Sequence, residues 1–458
     1  MEDMKNGKRS SFSGKLGYVL AAAGASVGLG NIWRFPYLAA KYGGGIFLII
    51  YIVLALTFGY TMIVAETAIG RMTRKSPVGA FKSFGKKKWL SFGGWINAVI
   101  PVLIVPYYSV IGGWVIKYLV EYFRGNAKLL AEDGYFTDFI SNGVSTELCF
   151  VAFCAFTLII IFAGVQNGIE RVSKIMMPIL IVLSVIIAVY SVTRPGALAG
   201  VKYFLVPNVK NFSWMTVVAA MGQMFYSLSI AMGILITFGS YMKKDTAIED
   251  STRNVEIFDT GIAIMAGLMI IPAVFAFSGG DPDTLQAGPS LMFITIPKVF
   301  QNMGFGTVIG IVFFVLVLFA AVTSSIALTE SAVSTFEDEL GWGRKKATVL
   351  VGVIMLVLGS LSSLGYGPLA GIKIIGMQFL DLFDFLTNSV MMPIAALLTS
   401  LLVSRVVGID KIEEEIIHGE SAFRRKKVFV VMIKYLCPVF AIIILLSSVA
   451  NALGWIKM

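Results

Sequence analysis

The chain has 458 residues, of which 57% are hydrophobic and 14% charged, and its mean hydropathy is +0.83. No soluble domain of this size carries that balance, so the sequence reads as an all-α polytopic membrane protein. Its net charge of +10 then reflects topology and contact with anionic lipid of the bilayer, and nucleic-acid binding is excluded as the source.

Eleven apolar stretches are long enough to cross a bilayer: residues 17–40, 45–70, 91–123, 147–166, 174–193, 214–241, 255–278, 305–338, 347–364, 374–403 and 428–454. With the leader, residues 1–16, placed in the cytoplasm, the inner loops and their edges hold 25 of the 37 Lys and Arg and the outer loops hold 9. The positive-inside rule then predicts a multi-pass protein of the cell membrane with a cytoplasmic N-terminus, and eleven crossings leave the C-terminus outside. The run Arg424-Arg425-Lys426-Lys427 reads as a stop signal beside segment 11. The first apolar run follows a charged leader and is too long for the h-region of a cleavable signal. Cys149, Cys154 and Cys437 fall in apolar spans and read as core thiols, while His418, in a charged inner loop, reads as a solvated surface residue. No motif for a metal cluster, phosphate loop or nucleophile elbow is present.

Segment 1 contains Gly24-Ala25-Ser26-Val27-Gly28-Leu29-Gly30-Asn31-Ile32-Trp33-Arg34-Phe35-Pro36. A helix that only spans lipid has no use for these glycines, an amide and an arginine at mid-depth, because broken backbone bonds and buried charge are costly there. Segment 6, five further on, has a similar small and polar stretch, Ser227-Leu228-Ser229-Ile230-Ala231-Met232-Gly233. Paired interruptions in two halves point to inverted repeats with a midplane binding site. The repeats would be 17–193 (segments 1–5) and 214–403 (segments 6–10), with 428–454 outside the pattern. Glycines also serve close helix packing, but the polar side chains Asn31, Arg34, Ser227 and Ser229 beside these breaks favour a site.

Glu66 in segment 2 is placed to accept bonds from the unwound backbone of segment 1. Asp259, near the start of segment 7, is an intramembrane carboxylate and hence a functional candidate; it can pair with a cation, titrate, or lie at the interface. Asp281-Pro282-Asp283 leads into Leu285–Phe300, a stretch too interrupted by Pro289 and Pro297 to cross, which predicts a re-entrant outer lid near 281–303. Thr323-Ser324-Ser325 in segment 8 offers three consecutive hydroxyls, either for an ion or for back-bonding within the helix. Arg34 with Asp384 towards the outside, and Arg9 with Asp338 towards the cytoplasm, suit a pair of alternating gates.

Together, Gly28-Leu29-Gly30-Asn31-Ile32-Trp33-Arg34-Phe35-Pro36, Gly43-Gly44-Gly45, Glu66 with Gly70-Arg71, Tyr107-Tyr108, Ser227-Leu228-Ser229, Thr323-Ser324-Ser325 and Glu337-Asp338-Glu339-Leu340 resemble the neurotransmitter:sodium symporter family, in its eleven-span bacterial amino-acid branch. The resemblance runs from about residue 9 to 450. It implies the leucine-transporter type of 5+5 inverted-repeat fold with segments 1 and 6 broken. It also implies a first sodium site on Ser26, Asn31, Ser227 and Asp259, completed by the substrate carboxylate, and a second on Gly24, Val27, Ala320, Thr323 and Ser324. Substrate backbone contacts would be Ala25, Gly28, Gly30, Tyr108, Tyr226 and Ser229, with a side-chain pocket of Ile104, Tyr226, Met232, Ser324 and Leu328. Arg34–Asp384 would be the outer gate and Arg9–Asp338 the inner one, with Tyr241 supporting the inner gate. No organic cofactor is implied.

Several positions depart from the family's usual residues. Amine carriers have aspartate where this chain has Gly28, so the substrate here should bring its own carboxylate. Asp259 stands where asparagine is usual, and Ala263 where some relatives have a carboxylate or a chloride-binding serine. Asp259 should therefore supply the charge that chloride provides elsewhere, which predicts chloride independence. Met232 replaces a phenylalanine and adapts to large apolar side chains, Ala231 replaces a glycine, and Phe12 replaces a tryptophan, which predicts a less firmly held inner closure. The expectation is a sodium-coupled importer of a neutral, hydrophobic or aromatic L-amino acid, not an enzyme. The alternatives are a proton-coupled carrier of the same architecture, a non-transporting amino-acid sensor, and an intramembrane enzyme.

Overall fold

The computed structural model describes residues 9–279 and 288–455. Among them, nine helical stretches are long and apolar enough to cross a membrane, and a tenth span is a pair, Lys15–Ser26 and Gly30–Lys41, turned by 53°. Segment 6 is an eleventh in two pieces, Trp214–Ser227 and Ile234–Tyr241. The remaining spans are Gly45–Thr73, Lys88–Phe123, Gly143–Phe162, Val165–Val192, Ile248–Ser278, Gly306–Leu340, Arg344–Leu364, Phe379–Val407 and Lys426–Ala452, segments 2 to 5 and 7 to 11 in order. All eleven expected spans are present, and segments 1 and 6 are the broken ones.

Two boundaries differ from the sequence expectation. Segments 4 and 5 are separated only by a turn at Ala163-Gly164, because the polar stretch Val165–Glu170 winds as a π-helical turn at the start of segment 5. Hydropathy misses such a turn; its Glu170 is held by Lys174 at 2.6 Å and by the backbone N–H of Ser13 at 2.8 Å. Segment 7 begins at Ile248, with Glu249 and Asp250 in its first turn, where acidic residues favour a helix N-terminus. Asp259 therefore lies well inside the helix, in the membrane interior rather than at its edge.

Segment 3 runs through the centre, packed on segments 4, 8 and 9, and segment 8 also packs on segments 1 and 5. The second half of segment 6 crosses segment 2 at contact distance of the two backbones. A Cβ added at Gly239 would lie 2.4 Å from the carbonyl of Thr67, so small residues are what permit this approach.

Between segments 7 and 8, Leu291–Gln301 is a short apolar helix that does not cross; Asp281-Pro282-Asp283 and Leu285 lie outside the described residues. This short helix is anchored on segment 3, where the Tyr118 hydroxyl donates to Phe293 O at 2.7 Å. The ring of Phe293 stacks on Phe136 with centroids 5.1 Å apart. Lys298 pairs with Asp133, whose carboxyl is held below its usual range by that hydrogen bond and charge.

Candidate substrate and ion site

The first helix of segment 1 stops at Ser26 because Val27 leaves helical conformation with ψ 93°. The chain then rewinds from Gly30 as a π-helical turn. Gly28 and Gly30 are required here by space. A Cβ on Gly28 would lie 2.7 Å from Ser324 Oγ, and one on Gly30 would lie 2.5 Å from the ring of Tyr226. In segment 6 the break passes through three left-handed residues, Ser229 (φ 53°), Ala231 (φ 59°) and Gly233 (φ 69°). For Ser229 and Ala231 this conformation costs about 1–2 kcal/mol each.

Tertiary bonds hold that strain in place. Ser229 Oγ donates to Ala25 O at 3.0 Å, tying the two breaks together, and the Ala231 N–H donates to Glu66 Oε1 at 2.8 Å. Glu66 thus serves the break of segment 6, not that of segment 1 as expected, because segment 2 lies against the second half of segment 6.

Between the breaks lies a small cavity. Its walls include every residue expected to contact substrate: Ala25, Gly28, Gly30, Ile104, Tyr108, Tyr226, Ser229, Met232, Ser324 and Leu328. Ser26, Asn31 and Ser227 of the expected first ion site also line it, as does Leu29. Leu29 was missed in the sequence; its N–H donates to the Tyr108 hydroxyl at 3.3 Å.

Asp259 is fully buried beside this cavity. Asn31 Nδ2 and Ser227 Oγ each donate to its Oδ1 at 2.8 Å, and the Tyr51 hydroxyl donates to its Oδ2 at 2.8 Å. All four side-chain partners are thereby brought together from segments 1, 2, 6 and 7. Tyr51 was not identified from the sequence, since a tyrosine in an apolar span carries no signal of its own.

The second expected ion site joins segment 8 to segment 1. Ser324 Oγ lies 3.2 Å from Gly24 O and 3.4 Å from Val27 O. Thr323 Oγ1 bonds back to its own helix, at 2.9 Å to Phe319 O and 3.2 Å to Ala320 O. Among the described residues no group of three or more His, Cys, Asp or Glu is placed to hold a metal. The donors of the two expected ion sites are carbonyls, hydroxyls, the Asn31 amide and the carboxylate of Asp259, a hard-oxygen set.

The chain matches the Sodium:neurotransmitter symporter family over residues 9–130 and 137–455. It belongs to that family. A relative described as an uncharacterized sodium-dependent transporter, YhdH of Bacillus subtilis (strain 168), is 34% identical over 450 residues, covering 97% of this chain and 99% of the relative. The sodium- and chloride-dependent GABA transporter 2 of Homo sapiens is 26% identical over 474 residues, covering 89% and 75%. In structure the chain is similar to MhsT, solved in complex with L-phenylalanine, with TM-score 0.86, 34% identity, and 96% and 100% of the two chains covered. The protein is therefore a multi-pass, sodium-dependent transporter and not an enzyme.

In this symporter the two expected gates are in different states. On the face that carries the leader, Arg9 Nη1 donates to both oxygens of Asp338 at 2.5 and 2.7 Å, and its other nitrogens reach Ser240 and Ser334. Burial pulls the Arg9 pKa down, but Tyr241 and Asp338 outweigh it and the group lies above its ordinary value. Tyr241 stacks under Arg9 at 5.1 Å and donates to Glu330 at 2.7 Å. Phe12, which stands where a tryptophan is usual, packs into this closure. It is 1% exposed, and its ring meets Tyr18, Phe238 and Tyr241 edge-on at 5.9, 5.5 and 6.0 Å.

On the far face Arg34 and Asp384 are not joined as an ion pair. Arg34 lies over the Tyr226 ring at 5.3 Å. Asp384 accepts from Asn388 at 2.5 Å and from the Tyr107 hydroxyl at 3.3 Å. Cys149, Cys154 and Cys437 are free thiols, and His418 is exposed with Nδ1 at 2.6 Å from Glu414 O, as expected.

Proposed function

We propose that this symporter imports a neutral, hydrophobic or aromatic L-amino acid with sodium, independently of chloride, by alternating access. The observation that carries the reading is the mixed lining of the cavity. The opened backbone, Asn31 and Ser227 share its walls with Ile104, Met232 and Leu328. A zwitterion with an apolar side chain suits both kinds of wall, whereas an amine would find no fixed anion at Gly28. The L-phenylalanine held by MhsT supports the same substrate class.

Two sodium ions are assigned as co-substrates. The first would sit among Ser26 O, Asn31, Ser227 and Asp259 with the substrate carboxylate, and the second among the carbonyls of Gly24, Val27 and Ala320 with Thr323 and Ser324. Asp259 balances the first cation's charge, the role taken by chloride in other members. Residues 17–193 and 214–403 act as the two repeats, and the leader face is cytoplasmic, with the C-terminus outside. Arg9–Asp338 and Arg34–Asp384 open in alternation.

The test is uptake of labelled leucine, phenylalanine and tryptophan into proteoliposomes. Sodium-dependent uptake that is equal in chloride and gluconate media is the expected result. Asn31→Ala or Asp259→Ala should lower substrate affinity at limiting sodium, because ions and substrate that touch strengthen each other reciprocally. Uptake driven by a pH gradient without sodium would instead establish the proton-coupled alternative.

A further inference from the structure

Of the lysine- and arginine-rich runs beside membrane spans on the leader face, Arg424–Lys427 and Lys86–Lys88 differ in how they are neutralised. In Arg424–Lys427, three residues meet acids of the chain itself: Arg424 with Asp250 at 3.7 Å, Arg425 with Glu256 at 3.2 Å and Lys426 with Glu413 at 2.5 Å. Lys86, Lys87 and Lys88 are all exposed, and among the described residues none of the three forms an ion pair. They stand where segment 3 enters the membrane, its helix beginning at Lys88.

On that helix, Phe92 and Trp95 follow Lys88 at four and seven residues, so they lie on its face one and two turns deeper. They are 54% and 41% exposed, although Gly93 and Gly94 between them are buried against Phe81 and Val78. The ammonium of Lys82, paired with Glu339 at 2.7 Å, lies 5.7 Å from the Trp95 ring. Three unpaired lysines at the polar boundary of a bilayer, with an aromatic ring and then an indole one and two turns deeper, match the layering of a phospholipid.

We infer that Lys86-Lys87-Lys88 together with Phe92 and Trp95 forms a docking surface for an anionic phospholipid, with its phosphate against the lysines and its acyl chain along the two rings. The occupant is assigned by charge complementarity. A zwitterionic headgroup brings an ammonium that the lysine triplet repels, whereas each lysine near an anionic surface enriches it roughly fivefold.

The experiment uses the full transporter in vesicles of phosphatidylcholine containing a fixed fraction of either phosphatidylglycerol or phosphatidylcholine brominated on its acyl chains. Bromine quenches nearby indoles, and the difference between the native protein and Trp95→Phe isolates Trp95. The expected result is stronger quenching of Trp95 by the brominated anionic lipid than by the brominated zwitterionic one. That excess should fall to the zwitterionic level in the K86Q/K87Q/K88Q variant and persist in K345Q/K346Q, which removes two exposed lysines at segment 9. Sodium-dependent substrate binding reports that each variant is folded. Equal quenching by both lipids overturns the proposal, as does an excess that survives the triple substitution or is lost equally in K345Q/K346Q, which would make it a property of total surface charge.

Discussion

Replacing Gly28 by alanine tests the geometry of the site with a single methyl group. Its Cβ would lie 2.7 Å from Ser324 Oγ and 3.1 Å from the Tyr108 hydroxyl, against about 3.4 Å for ordinary contact. Ser324 must turn away by about 0.7 Å, and it is the residue whose hydroxyl reaches the carbonyls of Gly24 and Ala25 at 3.2 Å. Overpacking costs about 1–3 kcal/mol, and a lost hydrogen bond adds about 1 kcal/mol. A total near 2–4 kcal/mol lowers affinity roughly thirty- to nine-hundred-fold. Equilibrium binding of labelled L-leucine at saturating sodium measures it, and the sodium concentration for half-maximal binding should rise in parallel because Ser324 faces both substrate and segment 1. Gly222→Ala is the control, since nothing lies within 4 Å of a Cβ there. Binding by Gly28→Ala within threefold of the native protein, with the control also unchanged, would refute the close approach of segments 1 and 8.

Tyr51→Phe removes a hydroxyl from Asp259 Oδ2 and leaves that oxygen without its donor, a loss of about 1–3 kcal/mol. Sodium titration of substrate binding should shift to higher concentration by roughly fivefold or more; an unshifted titration contradicts the role given to Tyr51. Glu66→Gln keeps an acceptor for the Ala231 N–H, so thermal unfolding should change little. Glu66→Ala leaves that N–H buried and unmatched, and should destabilise by about 1–3 kcal/mol. Gly233→Ala combines a left-handed φ of 69° with a Cβ 2.7 Å from Asn97 O and should cost roughly 2–4 kcal/mol, read as a fall in midpoint temperature. Tyr226→Leu removes the ring under Arg34 and should reduce substrate protection of a cysteine placed at Leu386 from maleimide, whereas Tyr226→Phe should preserve it.

The breaks were legible because glycines beside Asn31, Arg34 and Ser227 have few uses inside lipid, whereas the cavity residues were those implied by the family resemblance. Other features depend on which helices meet. Glu66 reads equally well as a partner for either break until segment 2 is seen against the second half of segment 6, where Gly239 lies under Thr67. Tyr51 is one more aromatic in an apolar run until segment 7 presents Asp259 to it. The start of segment 7 was set too late because residues 248–254 are polar enough to resemble a loop, although their acidic first turn starts a helix. The edge-on contacts of Phe12 with three rings are a property of the folded leader, absent from any local pattern.

The state of the two gates follows from what each charged group already touches. Arg9 and Asp338 satisfy each other, and Asp338 also accepts from the Ser76 N–H at 2.7 Å, so the leader-face closure needs nothing from the cavity. Arg34 and Asp384 each have another partner: the Tyr226 ring for one, Asn388 and Tyr107 for the other. Bringing them together exchanges a cation–π contact of about 0.5–2 kcal/mol and the carboxylate's existing bonds for an ion pair of comparable worth, which leaves little net drive. The Tyr226 ring, however, is also a wall of the cavity. A ligand that fills the cavity acts on the same ring that holds Arg34, so under the proposed alternation of gates the far face should close on occupancy, rather than by attraction between the gate charges.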